Sequence, residues 1–103
     1  MNVFMIITIK VKDTMKFKTY LEKVQAVASP YGAEIVSRGR YHTNLVNEQG
    51  HAQSSNPNIA IIVSFPSIEQ LESWFNSEEY QEIVPLRKEA AEMSMTVYQA
   101  IQD

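Results

Sequence analysis

Two segments of this chain are apolar on both faces of an extended strand, and no other feature limits its possible folds as strongly. In the first, one row of side chains is wholly apolar and the opposite row is apolar over its first half: Val3, Met5, Ile7, Ile9 and Val11, against Phe4, Ile6, Thr8, Lys10 and Lys12. The second, Ile59 to Phe65, is apolar on both rows. A strand that is apolar on both faces is typical of the centre of a sheet. We therefore expect two central strands.

Two segments have the three- and four-residue spacing of amphipathic helices. The first begins at Asp13 or Thr14 as N-cap and ends before Gly32. The second begins at Ser67, which forms a capping box with Gln70, and its helix restarts at Ser77. Pro85 lies inside this segment and has no backbone N–H, so a kink or a local break is expected there.

The remaining segments complete a β-α-β-β-α-β order. Ala33 to Tyr41 is a half-polar strand, Thr43 to Asn58 is a long polar loop, and Met95 to Ile101 is the last strand. Of the compact topologies with this order, the commonest is the α+β ferredoxin-like sandwich, an antiparallel four-stranded sheet with two helices on one face. Residues 1–103 are expected to form one such domain.

Composition excludes several classes of function. The chain has no cysteine, which removes disulfides, thiolate metal sites and a cysteine nucleophile. Its three glycines cannot form a phosphate-binding loop or a dinucleotide fingerprint, so no cofactor is expected. The net charge of −3 argues against nucleic acid as a partner. No membrane span and no signal peptide are predicted, and we expect a cytoplasmic protein.

One face of the predicted sheet has no helix to cover it. That face would expose Phe4, Ile6 and one row of the third strand, either the row from Ile59 to Phe65 or Ala60 and Ile62. An apolar patch of several hundred Å² is larger than soluble monomers usually expose. A second copy that packs sheet to sheet across a two-fold axis would cover it, so we predict a homodimer.

The chain resembles the family of domain of unknown function 1330, in the dimeric α/β-barrel superfamily. The resemblance is carried by Phe65-Pro66-Ser67, by Trp74 to Tyr80, by Pro85-Leu86-Arg87 and by Tyr31-Gly32-Ala33 leading into Ser37-Arg38-Gly39. It implies a ferredoxin-like protomer whose sheet packs on a second sheet to form a barrel. Relatives in the superfamily include cofactor-independent monooxygenases, haem-degrading enzymes and lactone isomerases, with ligands held between sheet and helices. The Asn/Trp/His set of the haem degraders is not matched in order and spacing.

Arg87 is the most informative candidate site residue. It projects from the apolar stripe that contains Tyr80, Ile83 and Val84. A guanidinium there keeps its charge and needs a partner. It could receive a carboxylate, phosphate or enolate-like oxygen of a ligand. Alternatively, it could form an internal salt bridge, or bond to a backbone carbonyl such as that of Gln81, which Pro85 leaves without its helical donor.

The aromatic and basic residues allow two interpretations each. Four aromatic side chains, Tyr20, Tyr31, Trp74 and Tyr80, could surround a small pocket with hydroxyl groups or could simply belong to the core. Arg38, Arg40 and His42 share one strand face, as a surface or interface strip or as part of a site. His42 and His51 do not have a recognised metal-ligand spacing, and no metal site is predicted.

These observations lead to two functional hypotheses. In the first, a homodimer binds a small anionic or phenolic ligand in a cleft under the second helix. Arg87 would orient the ligand, Tyr80, Tyr20 and Trp74 would form the walls, and Arg38 and His42 are further candidates. If this protein is an enzyme, it would be a cofactor-independent oxygenase or isomerase. In the second, it is a non-catalytic interaction or stress-associated dimer whose cleft is filled by side chains.

Overall fold

The computed structural model describes residues 2–48 and 58–101. Its elements are, in chain order, β1 (Val3–Val11), α1 (Thr14–Ala28), a 3-10 turn (Ser29–Tyr31), β2 (Glu34–Arg40), β3 (Ile59–Phe65), α2 (Ile68–Phe75), α3 (Glu78–Ala90) and β4 (Ala91–Gln99). Residues 43–48 form neither helix nor strand, as the loop prediction requires, and β2 ends at Arg40, one residue before the predicted Tyr41. Gly50, His51, Asn56 and Pro57, which also belong to the predicted loop, lie outside the described residues.

The four strands form one antiparallel sheet in the order β2-β3-β1-β4. The two strands that are apolar on both faces, β1 and β3, therefore occupy the centre, and the mixed strands β2 and β4 form the edges. This confirms the predicted α+β ferredoxin-like arrangement. Directly opposed residues share a face, so Ile6 lies between Ile62 of β3 and Thr96 of β4.

The helices begin where the sequence predicts. Asp13 accepts a hydrogen bond from the backbone N–H of Lys16, and Ser67 accepts one from that of Gln70. The second helical segment is divided into α2 and α3, and Ser77 caps α3 by accepting from the N–H of Tyr80 at 3.2 Å. Its hydroxyl also donates to the carbonyl of Trp74 at 2.7 Å. Ser77 thereby ties the end of one helix to the start of the next.

Two expectations about the second half of the chain are corrected. The helix α3 continues through Pro85, so the local break does not occur. A proline removes one backbone hydrogen bond, and partly buried neighbours on the core side, Ile83 and Val84, hold the helix in place. The last strand begins at Ala91 rather than Met95, because β4 pairs with β1 as far as Val11.

A bulge changes which residues of β2 share a face. Ile35 pairs with Val63 and Ser37 pairs with Ile62, so Val36 is an extra residue without an opposite partner. The sequence alternation predicts Ile35 on the face opposite to Arg38. The bulge instead places both of them, with Arg40, on the face that the helices cover.

The core lies between the sheet and the helices. It includes the row of β1 that was predicted to be wholly apolar, two positions of β3 and aromatic residues from all three helices. The opposite sheet face carries Phe4, Ile6, Ala60 and Ile62, which is the second of the two predicted rows of β3. In the described part of the chain, no helix is both long and apolar enough to cross a lipid bilayer.

Candidate functional site

A cavity of about 660 Å³ lies between α1 and the sheet. Volumes of roughly 300–1,000 Å³ are usual for small-molecule sites. Most of the lining is apolar, and it comes from α1 and the turn after it, from all four strands and from α2. The lining residues are Met5, Ile7, Ile9, Phe17, Tyr20, Leu21, Val24, Gln25, Ala28, Ser29, Ala33, Ile35, Arg38, Gly39, Arg40, Ile59, Ile61, Val63, Phe65, Trp74, Met93 and Met95.

The cavity extends towards the β2 edge of the sheet. The seven residues of β2 are all exposed, so this strand is the part of the sheet that the helices cover least. The side chains of α1 that face it include Val24 and Ala28, which are too short to fill the space between helix and strand. Phe17 and Tyr20, which are large and buried, line another part of the same cavity.

Arg87, Tyr80 and Tyr20 form a hydrogen-bonded chain that leads to the cavity wall. The Nη1 of Arg87 donates to the Tyr80 hydroxyl at 2.8 Å, and its guanidinium carbon lies 5.9 Å from the centre of the Tyr80 ring. The Tyr80 hydroxyl lies 3.0 Å from the Tyr20 hydroxyl. Tyr80 is completely buried, and Tyr20 is 2% exposed. Arg87 is thus separated from the cavity by two tyrosines.

Chemistry fixes the direction of the Arg87–Tyr80 hydrogen bond, whereas either hydroxyl can donate in the Tyr80–Tyr20 pair. A guanidinium can only donate, so the Tyr80 oxygen accepts and its own proton points elsewhere. When that proton is donated to the Tyr20 oxygen, the Tyr20 O–H is left to donate to another acceptor. Burial raises the pKa of Tyr20, with smaller contributions in the same direction from Tyr80. Tyr20 is therefore a donor at neutral pH and not a base.

Trp74 lines the cavity with its ring, while its indole N–H is buried beneath the surface of the wall. Its indole packs against Phe65, Phe75 and Tyr80, with ring centres 5.5, 5.9 and 4.5 Å away. The side chain is 2% exposed, and Nε1 has no hydrogen-bond partner among the described residues. An unsatisfied buried N–H costs about 1–3 kcal/mol. A ligand oxygen could recover that cost only after the side chains that cover the N–H move aside.

The structure brings only part of the predicted set together. Tyr20, Trp74 and Arg38 line the cavity, and so does Arg40. The lining does not include Tyr80, Arg87 or His42, although Tyr80 touches two of its residues. His42 is exposed beyond the end of β2. Tyr31, the fourth aromatic candidate, is partly buried against the core.

The position of the cavity differs from the expected cleft under the second helix, since the structure places it beneath α1. Among the described residues, the side-chain hydrogen bond of Arg87 goes to a tyrosine hydroxyl, and it makes neither of the internal contacts considered for it, a salt bridge or a bond to the Gln81 carbonyl. Sequence reasoning also missed Gln25 and Ser29, the uncharged polar residues of the rim. Their only signal is their position one turn apart at the end of α1.

Comparison with known families identifies the group to which the protein belongs. The family model described as domain of unknown function (DUF1330) matches residues 2–101. The chain belongs to this family. The resemblance inferred from the sequence is therefore confirmed, and with it the ferredoxin-like fold. A search of curated proteins gave no match for this DUF1330 member.

Solved structures share the fold of this DUF1330 chain at low sequence identity. A protein of unknown function from Rhodopseudomonas palustris is 14% identical with a TM-score of 0.81, over 99% of this chain and 84% of its own. SnoaB, a cofactor-independent oxygenase from Streptomyces nogalater, is 8% identical with a TM-score of 0.68, over 99% and 95%. A dimeric protein of unknown function and ferredoxin-like fold from Bacteroides fragilis is 15% identical with a TM-score of 0.64, over 96% of each chain.

Proposed function

We propose that this protein is a homodimer that binds a small, mainly apolar ligand with a phenolic or anionic group in the cavity beneath α1. The observation that carries the proposal is the cavity itself, about 660 Å³ in volume, with an apolar lining and a buried indole N–H that has no partner among the described residues. Apolar walls with a few fixed donors are typical of ligand sites. The cytoplasmic location and the absence of nucleic acid partners stay predictions.

The Tyr20 and Trp74 donors define the ligand's inner end. Both side chains are almost completely buried. The Tyr20 hydroxyl lies within hydrogen-bond distance of the Tyr80 hydroxyl, and the Trp74 ring packs against the Tyr80 ring. A phenol, carbonyl or enolate oxygen at this end would accept from the Tyr20 O–H, and from the Trp74 N–H once the side chains that cover it move aside. Arg87 acts through Tyr80 in this scheme, because its hydrogen bond fixes the Tyr80 oxygen as an acceptor. It is a positioning residue and does not contact the ligand.

The same arrangement would suit an enzyme that stabilises an oxyanion without a cofactor. Neutral donors held at fixed positions stabilise negative charge that develops on an oxygen, as in an enolate. The raised pKa of Tyr20 keeps its proton in place for this role. The shared fold with SnoaB, described as a cofactor-independent oxygenase, supports this class by analogy only. An oxygenase or isomerase reaction is therefore the catalytic form of the proposal.

The open face of the sheet supports the homodimer. Phe4 and Tyr98 stack there with ring centres 5.7 Å apart, beside Ile6 and Ile62. A stable interface buries roughly 800 Å² on each partner. Since the cavity lies on the other side of the sheet, dimerisation leaves it accessible. The dimeric Bacteroides fragilis protein with the same fold supports this assembly.

A thermal-shift screen against small phenols and aromatic carboxylates tests ligand binding. At ten times its dissociation constant, a ligand adds about 1.4 kcal/mol to stability, which raises Tm by several degrees in a domain of this size. Ala28→Phe, which places a ring in the cavity, should abolish the shifts. Ala26→Phe is the matched control, because Ala26 lies on the exposed side of the same helix. Equal shifts in both variants would contradict the proposal and favour the alternative of a dimer without a working cleft.

A further inference from the structure

We propose that Arg38 and Arg40 form an anion anchor at the β2 side of the cavity, so that the ligand is an amphipathic organic anion. Its apolar body would occupy the space beneath α1, and its carboxylate or sulfonate would lie at the mouth, between the two guanidinium groups. This inference rests on the proposed ligand-binding function and specifies the chemical class of the ligand.

The bulge in β2 produces the placement of the two arginines. Because Val36 is the extra residue, Arg38 lies opposite Ile61 and Arg40 lies opposite Ile59, both on the helix-covered face. Residues two apart on a strand are separated by roughly 7 Å. Both side chains line the cavity. Two guanidinium groups at this spacing can flank a single anionic group.

The charges around the cavity are unbalanced. Arg38 and Arg40 are the charged residues of the lining, and no aspartate or glutamate belongs to it. The salt bridge found among the described residues joins Lys16 to Glu89, away from the cavity. Arginine keeps its charge at any physiological pH, and its planar group matches a carboxylate or sulfonate. The cavity mouth is therefore positive and has no internal counter-ion in the described part of the chain.

The surroundings of the anchor strengthen its effect on an anion. Opposite Arg38, the Ile61 side chain is 7% exposed, and the rest of this wall is also aliphatic. A charge pair beside apolar surface is screened less than a pair in open water. Both arginines lie on the exposed strand β2, so the anchor should give a moderate preference for an anion, smaller than that of a buried charge.

The experiment compares two fluorescent probes with nearly the same aromatic body. Anilinonaphthalene sulfonate carries an anionic group, and phenyl-naphthylamine lacks it. Dissociation constants for both are measured by fluorescence titration of the dimer for the wild type, for Arg38→Gln/Arg40→Gln and for Lys18→Gln/Lys23→Gln. The lysine variant is the matched control, since it removes the same charge from exposed positions of α1 that do not line the cavity.

We expect the arginine variant to bind the sulfonate about tenfold more weakly than the wild type does, and to bind the neutral probe with an affinity within twofold of the wild type. The lysine variant should bind both probes as the wild type does. Added salt should weaken binding of the sulfonate to the wild type and leave the neutral probe unchanged.

Four results would overturn the anchor, and they separate it from the proposed function. If the arginine variant binds both probes as the wild type does, the anchor is wrong and the cavity stands. If it only lowers dimer stability in sedimentation experiments, the arginines belong to the interface. If neither probe binds the wild type, or if Ala28→Phe leaves binding of both unchanged, the cavity is not a binding site and both proposals fail.

Discussion

Tyr80 connects the polar and aromatic parts of the interior. Its hydroxyl accepts from Arg87, lies within hydrogen-bond distance of Tyr20 and is 4.0 Å from the sulfur of Met95. Its ring packs against Trp74 and is completely buried. If the Tyr80 oxygen is removed, the partly buried guanidinium of Arg87 and the buried hydroxyl of Tyr20 each lose a hydrogen-bond partner. Tyr80 is therefore expected to determine both stability and the orientation of the cavity donors.

We expect Tyr80→Phe to lower the free energy of unfolding by about 1–3 kcal/mol, because groups that lose a buried partner keep their desolvation cost. Urea denaturation measures this change. Tyr31→Phe is the control, since it removes a hydroxyl for which the structure shows no hydrogen bond, and it should change stability by less than about 0.5 kcal/mol. Equal losses in the two variants would show that the hydrogen-bonded chain contributes nothing.

Tyr20 should make stability depend on pH in the alkaline range. Its pKa is raised by burial in the folded protein, whereas in the unfolded chain it ionises near the ordinary tyrosine value of about 10. Above that pH the unfolded chain releases a proton that the folded protein retains. The contribution of Tyr20 to the free energy of unfolding is therefore complete below about pH 10. It is lost as the pH rises further, by up to about 1.4 kcal/mol per pH unit.

Urea denaturation of the wild type and of Tyr20→Phe at about pH 9 and pH 11 measures this effect. Between pH 9 and pH 11, the wild type should lose about 1 kcal/mol more of its free energy of unfolding than Tyr20→Phe does. The other titrating groups are common to both proteins and cancel. A difference that does not change with pH would mean that Tyr20 is not desolvated in the fold.

At the scale of elements, the chain's local patterns predicted most of what forms. The structure confirms the predicted helix caps at Asp13, Ser67 and Ser77 and the central positions of the two apolar strands. These features depend on residues that are neighbours in sequence. The bulge at Val36 depends on pairing with another strand, so alternation within β2 could not show it. The early start of β4 at Ala91 likewise depends on the length of β1.

The junction between the 3-10 turn and β2 should tolerate no side chain at Gly32. Its φ is +84°, and a Cβ there would lie 2.6 Å from the Cγ of Pro66. We expect Gly32→Ala to lower the free energy of unfolding by about 2 kcal/mol or more, as measured by urea denaturation. The cost of the strained backbone and the cost of the close contact with the proline ring are both included in this loss. The control is Gly39→Ala, where a Cβ meets nothing within 4 Å. A similar loss in both variants would contradict this account of the turn.

At the scale of the whole molecule, the sheet separates the proposed dimer face from the proposed binding cavity. Its open face carries Phe4, Ile6 and Ile62 for the proposed dimer, and its covered face carries the cavity. Tyr20 and Trp74 were predictable as site candidates because aromatic residues on helical stripes point inward. The place of the cavity was not predictable, because it depends on how far α1 stands from β2 and on the short side chains between them.

We expect Ile6→Lys to convert the dimer into a monomer, since it places a charge at the centre of the open face, between Ile62 and Thr96. Sedimentation equilibrium at micromolar concentration should give twice the protomer mass of 11.8 kDa for the wild type and the protomer mass for the variant. Met15→Lys is the control, because Met15 is 74% exposed on α1. A wild type that is monomeric and stable at these concentrations would contradict the assembly.

The most direct test of the binding cavity uses its only tryptophan, Trp74, whose indole N–H gives one side-chain signal in an amide-proton NMR spectrum of the labelled protein. During titration with naphthoate, we expect a saturable shift of this signal that is retained in Ala26→Phe and lost in Ala28→Phe. If naphthoate binds while the indole signal stays in place and only backbone signals of the open sheet face move, the cavity beneath α1 is not the site.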